Sequence, residues 1–210
     1  GLISSISTKW MPNLIQIMEK SYPGITIELR EGDYYEIEQW LINGEIDCGF
    51  LNRTNSKQFN FMPLKRDPLL CVVSKKSKLY EKEAIDIKDI EDEPIIMPSY
   101  KGTNDVLMLF EQYNVKGNIR FELFDEIGIL SMVHHELGIS ILPQLGITQL
   151  PKNVRVVPFQ QESFRTIGLS TKQSLSPAAK RFVEELKHWL IENEDNLVFE
   201  KGEEKIWICR

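Results

Sequence analysis

The first thing this chain is short of is positive charge. Lys and Arg together number 25 against 31 Asp and Glu, giving a formal net charge of −6. The basic residues are scattered, and no basic block stands out. A surface of this sign repels phosphates, which argues against this chain gripping nucleic acid by itself. Long apolar runs are missing too. Nothing approaches the roughly 18 residues that span a bilayer, and the start from Gly1 shows neither a basic n-region nor a long apolar h-region. Cysteine is scarce: Cys48, Cys71 and Cys209 are an odd number at spacings that fit no zinc pattern. Cys48 in "DCGFL" and Cys71 in "PLLCVVS" read as reduced thiols of a core, as in a cytoplasmic protein. There is no P-loop, no G-x-G-x-x-G, no G-x-S-x-G and no paired C-x-x-C. No catalytic residue, metal ligand or cofactor is therefore assigned. The carboxylates of "DIEDE" read as a solvated face.

What is present is ordinary globular composition, 42% hydrophobic and 27% charged over 210 residues, enough for a substantial core. Helical and strand patterns alternate. "TKWMPNLIQIMEKSYPG" has the period of a helix, with Thr8 as cap, Pro12 in its first turns and a stripe of Met11, Leu14, Ile15 and Met18. "ITIELR" alternates like a strand. "EGDYYEIEQWLING" predicts a helix opened by an Asp33–Glu36 capping box and stopped by Asn43-Gly44. "IDCGFL" is the next strand, completing β-α-β grammar that implies a parallel sheet.

A second unit follows. "PLLCVVS", "PIIMPS", "NIRFELF", "GISILP", "VRVVPF" and "RTIGLSTK" read as strands. "TNDVLMLFEQYNV" and "EIGILSMVHHEL" read as helices, with Thr103 the cap of the first. The last helix, "SPAAKRFVEELKHWLIEN", is the clearest, with Ser176 as cap, Pro177 in the first turn and one apolar stripe from Ala179 to Leu190. No Gly/Pro-rich tether separates the units, so strands crossing between two α/β lobes are expected to join them. Beyond that helix, "LVFEK" and "KIWI" flank "GEE". This reads either as a short hairpin that adds to a sheet edge or as a frayed acidic end.

His134, His135 and Glu136 in "VHHELGISILP" invite a metal or acid–base reading. Neighbours on a helix point about 100° apart, so two adjacent histidines do not share an ion from one face. Zinc helices place them at i and i+4, a spacing absent here. The reading is scaffold: polar groups at a helix C-terminus, with Gly138 supplying the stop.

That same segment resembles LysR-type transcriptional regulators, in which a helix ends in Gly and runs into an apolar strand closed by Pro. Other landmarks follow in the family's order: "GLISSISTKWMPNL", "YPGITIELREGD", "LINGEIDCGFL", "PLKRDPLLCVVSKKSKL" and "LSPAAKRFVEEL". Ser77-Lys78 stands where the family usually has His-Pro, and Asp33 where many members have Ser or Thr. The resemblance covers residues 1–193 and implies an effector-binding domain similar to type II periplasmic binding proteins: two Rossmann-like lobes, two crossover strands and a ligand cleft between the lobes. Lobe I is then 1–70 with 171–193, lobe II is 71–170, and 194–210 is a C-terminal extension.

The resemblance also implies a role. A small molecule would be sensed, and the signal passed to an N-terminal winged helix-turn-helix that this sequence does not contain, with DNA contacted only through that domain. The ligand is expected to be a carboxylate if the aspartates near the cleft are engaged as caps and leave helix amides free, and one with amine or hydroxyl donors if they face the cleft. A homodimer is implied, through the first helix and the third strand–helix region, and a tetramer for the full-length protein. By position the effector contacts fall on Ser4, Ser5 and Ser7 in a loop before the first helix, Gly32 and Asp33 at the next turn, Ser99 and Thr103 in the second lobe, and Phe124 with Asp125. For Asp33 and Asp125 a helix-capping role is the competing reading. A solute receptor of a transporter shares this architecture and is the alternative function.

Overall fold

The computed structural model describes residues 1–52, 59–99, 101 and 104–198. In chain order the elements are α1 (Ser4–Lys9), α2 (Met11–Ser21), α3 (Tyr34–Asn43), β1 (Cys48–Asn52) and β2 (Asn60–Ser74). Next come β3 (Pro94–Pro98), α4 (Asp105–Tyr113), β4 (Asn118–Leu123), α5 (Glu126–His134) and β5 (Ser140–Pro143). The chain continues through β6 (Val154–Val157) and β7 (Phe164–Thr171) to α6 (Pro177–Asn193). It divides into two compact units: Gly1–Arg66 with Thr166–Arg210, and Asp67–Arg165. Strands β2 and β7 each pass from one unit to the other.

In the first unit β1 pairs antiparallel with β7, Cys48 opposite Thr171 and Asn52 opposite Ile167. The core gathers Trp10, Leu14, Met18, Ile37, Leu41, Phe50, Leu186 and Leu190, all buried. Trp10 sits edge-on to Phe50 and Trp189, with ring centroids 5.8 and 6.4 Å away. The capping box on α3 forms as its spacing requires, and Gly44 ends that helix at φ 76°, a conformation glycine adopts without steric cost. Ser176 caps α6 by accepting from the Ala179 N–H at 3.1 Å.

Three readings of this unit are corrected. The expected loop of Ser4–Ser7 is itself helical, and the break falls at Trp10, between α1 and α2. Thr8 does not cap; its hydroxyl donates back to the carbonyls of Ser4 and Ser5. "ITIELR" is extended but builds no ladder. It bridges the chain start once, Leu2 to Glu31, through Leu2 N–H to Arg30 O and Gly32 N–H to Leu2 O. Alternation sets which side a residue faces, but a strand also needs a partner in register over several residues.

Among the described residues, Ser170 Oγ on β7 is the buried side-chain oxygen without a hydrogen-bond partner. Ser170→Ala removes that unmet polar group and is expected to raise stability by about 1 kcal/mol in denaturant unfolding. A loss of stability would show that the hydroxyl is satisfied in solution.

In the second unit β2 pairs antiparallel with β5 and β6, while β3 pairs parallel with β4. The parallel sheet implied by the β-α-β pattern at residues 25–51 is not formed there, where β1 pairs antiparallel with β7; among the described strands the parallel ladder is that of β3 and β4. Alternation along the strands feeds two cores. Cys71, Val73, Ile95 and Met97 face one cluster with Leu109 and Phe110; Val72 and Ile96 face the other with Ile129 and Val133. The connection after β2 is less loop-like than its acidity suggests: a 3-10 turn over Ile87–Ile90 buries Ile87 and Ile90.

The stop of α5 is also corrected. Glu136, at φ 62°, takes the left-handed position, and Leu137 N–H closes back on Met132 O. Gly138 serves another purpose. A Cβ there would lie 2.4 Å from the carbonyl oxygen of Pro94, so glycine lets residues 138–139 approach β3. Ile139 N–H donates to Pro94 O at 2.8 Å across that contact. Gly138→Ala is expected to cost about 1–3 kcal/mol by forcing the two backbones apart. An unchanged thermal midpoint would show that β3 yields freely.

Candidate functional site

In the first unit Ser4, Ser5 and Ser7 lie on α1, and Gly32 and Asp33 at the turn that opens α3. The two hydrogen bonds flanking Leu2 hold the start of α1 against the turn at Gly32. Ser5 is buried and Ser4 half-buried; Ser7 Oγ donates to Ser4 O at 3.0 Å. Asp33 is buried, its Oδ1 accepts from Glu36 N–H at 2.8 Å, and its own N–H donates to Glu36 Oε2 at 3.1 Å. The capping role is therefore realised, and the carboxylate's charge is spent on the positive end of its own helix. Gly32 is dictated by packing: a Cβ would meet the Trp40 ring at 2.5 Å.

In the second unit β3 and β4 run parallel, and both end where helices begin, an arrangement that gathers helix N-termini beyond the strand ends. Ser99 follows β3; its N–H donates to Leu123 O at 2.8 Å and its Oγ to Glu122 Oε2 at 3.3 Å. This sets Ser99 beside Phe124 and Asp125. Asp125 caps α5, accepting from Gly128 N–H at 2.8 Å. Phe124 is 61% exposed and Ile127 72%, an apolar rim beside the cap. Thr103 lies outside the described residues, and the cap expected of it is supplied by Asn104. That side chain accepts from Val106 and Leu107 N–H and donates to Pro98 O at 2.6 Å, closing the turn between β3 and α4. Asn104 was open to detection, because asparagine ranks among the best N-caps.

The other polar features are structural. His135 Nδ1 meets Ser131 O at 2.8 Å, and His134 Nδ1 contacts Asn153 Oδ1, whose amide donates to His134 O. Among the described residues, no three His, Cys, Asp or Glu side chains converge as a metal site would require. Burial pushes the Cys48 thiol up to about 11 and the Cys71 thiol higher still, so neither is a thiolate nucleophile at neutral pH. A cavity of about 550 Å³ in the first unit is lined by Leu2, Ile25, Ile27, Ile46, Ala179 and Phe182 among others. None of the candidate serines or aspartates borders it.

The sequence model of the LysR substrate binding domain matches residues 1–191. The chain belongs to the LysR substrate-binding family. Curated relatives agree. The HTH-type transcriptional regulator YvbU of Bacillus subtilis is 27% identical over 191 residues, 89% of this chain and 65% of that protein. AlsR of the same organism is 26% identical over 190 residues, 87% of this chain and 63% of that protein. The chain thus spans a little under two thirds of these regulators. Among solved structures, the effector binding domain of QuiR in complex with shikimate superposes with a TM-score of 0.79 at 23% identity, covering 92% of this chain and 96% of that one. The BenM effector binding domain with benzoate gives 0.81 at 20% identity, over 97% and 94%. These establish the type II periplasmic-binding-like fold for this LysR domain. No described helix is long and apolar enough to cross a membrane.

Proposed function

We propose that this LysR domain senses a small carboxylate and that the full-length protein uses it to regulate transcription from the cytoplasm. The observation that carries the reading is the family match across residues 1–191. The helix-turn-helix naming of the relatives favours it over the transport-receptor alternative. DNA contact is assigned to a part of the full protein outside this chain, in keeping with the acidic balance here. Pairing of two copies, and of dimers into tetramers, extends the family analogy. The domain binds its ligand and does not turn it over.

The contacts we assign are Ser4, Ser5 and Ser7 with the Gly32–Asp33 turn in one unit, and Ser99, Thr103, Phe124 and Asp125 in the other. Both aspartates cap their helices, so the field of each carboxylate is partly offset by the helix N-terminus it faces. Shikimate and benzoate, named with two of the structural neighbours, are carboxylates, which supports the ligand class. The test is a thermal-shift screen of small carboxylates, followed by titration of the best one against Ser5→Trp. Affinity reduced by two orders of magnitude, with circular dichroism unchanged, is expected. Equal affinity would remove Ser5 from the site, and a panel in which only amines bind would overturn the ligand class.

A further inference from the structure

The chain beyond α6 makes contacts that ligand sensing does not explain. Lys65 lies on β2 with its side chain only 8% exposed, and its ammonium donates to Glu194 Oε2 and to the Asp195 carbonyl, both at 2.6 Å. The other Glu194 oxygen accepts from Trp10 Nε1 at 2.8 Å. Asn196, at φ 58°, then turns the chain alongside β2. Arg66 N–H donates to Asn196 O and Val198 N–H to Leu64 O, each at 3.0 Å, with Leu197 bridged antiparallel to Lys65. These residues pair with β2 just where that strand leaves the first unit at Arg66. The pairing is too short to be a strong ladder, whereas a buried ammonium is costly to strand, so the ion pair holds the segment in place.

We propose that residues 194–198 are a strap on the crossing strand, latched by Lys65 and Glu194, and that the strap sets how readily β2 opens at its exit from the first unit. The proposal does not depend on which ligand the domain binds. It is tested by hydrogen exchange on the whole chain. Val198→Pro deletes one strap hydrogen bond and leaves the latch; Lys65→Met deletes the latch at similar volume. Each is expected to speed exchange of the β2 amides from Arg66 to Leu70 by about tenfold, with α3 amides of the same unit unchanged. The double variant is expected to go little further than the larger single change, because latch and ladder release together. Faster exchange confined to Arg66 and residues 196–198 would overturn the proposal, as would a uniform rise across the unit or full additivity.

Discussion

Arg165→Ala is expected to destabilise the second unit by roughly 3–5 kcal/mol, one of the two largest losses anticipated from a single substitution in this chain. Asp67 is fully buried, and its Oδ2 accepts from both Nε and Nη2 of Arg165 at 2.9 Å. Its Oδ1 accepts from Leu145 N–H at 3.0 Å. Asp105, at the start of α4, lies 3.9 Å from the same guanidinium. Removing the arginine leaves a carboxylate in the interior with one neutral donor. That is far costlier than losing an exposed pair such as Arg181–Glu184. Arg165→Lys is expected to recover only part of the loss, since an ammonium does not reproduce the paired N–H geometry. Asp67→Asn combined with Arg165→Ala is expected to be less harmful than Arg165→Ala alone, because no charge remains buried. A denaturant midpoint within error of wild type for Arg165→Ala would refute the account.

Trp10→Ala should strike the first unit about as hard, at roughly 3–5 kcal/mol. The indole is wholly buried against Phe50 and Trp189, and alanine leaves a cavity that helices on two sides are poorly placed to refill. Its Nε1–H also supplies one of the two bonds that fix Glu194. Trp10→Phe keeps most of the packing and loses that donor, for an expected cost near 1 kcal/mol beyond the reduced ring volume. If the two units unfold in separate transitions, Trp10 variants should move one and Arg165 variants the other. A shift of the same transition by both would show that the units unfold as one.

Much of this was legible in the residues because the forces involved are local. The Asp33–Glu36 box, the Asp125 and Ser176 caps and the apolar stripe of α6 each depend on side chains three or four positions apart. Local reasoning slipped where two local solutions compete. Thr103 and Asn104 are both good caps by residue type, and the asparagine takes the place, donating to Pro98 O as well as accepting from the helix. Ser4–Ser7, a loop by the family resemblance, are helical because α1 buries Ile6 against the core.

The family landmarks were likewise open to reading, as was the scaffold role of His134 and His135, since adjacency on a helix forbids a shared ion whatever surrounds it. Other features were set by contacts distant in the chain. Gly138 is glycine because of Pro94, not because α5 must stop. The segment at 25–30 builds no ladder among the described residues; the bridge beside it joins Leu2 to Glu31. Asp67 and Arg165 are 98 positions apart, and each in isolation reads as a surface charge. The sequence by itself determined the periods, the caps and the order of the motifs, all properties of a few consecutive residues. Which charges are buried, which strands run antiparallel and where residues 194–198 lie were decided only when the tertiary structure brought remote segments to within hydrogen-bonding distance.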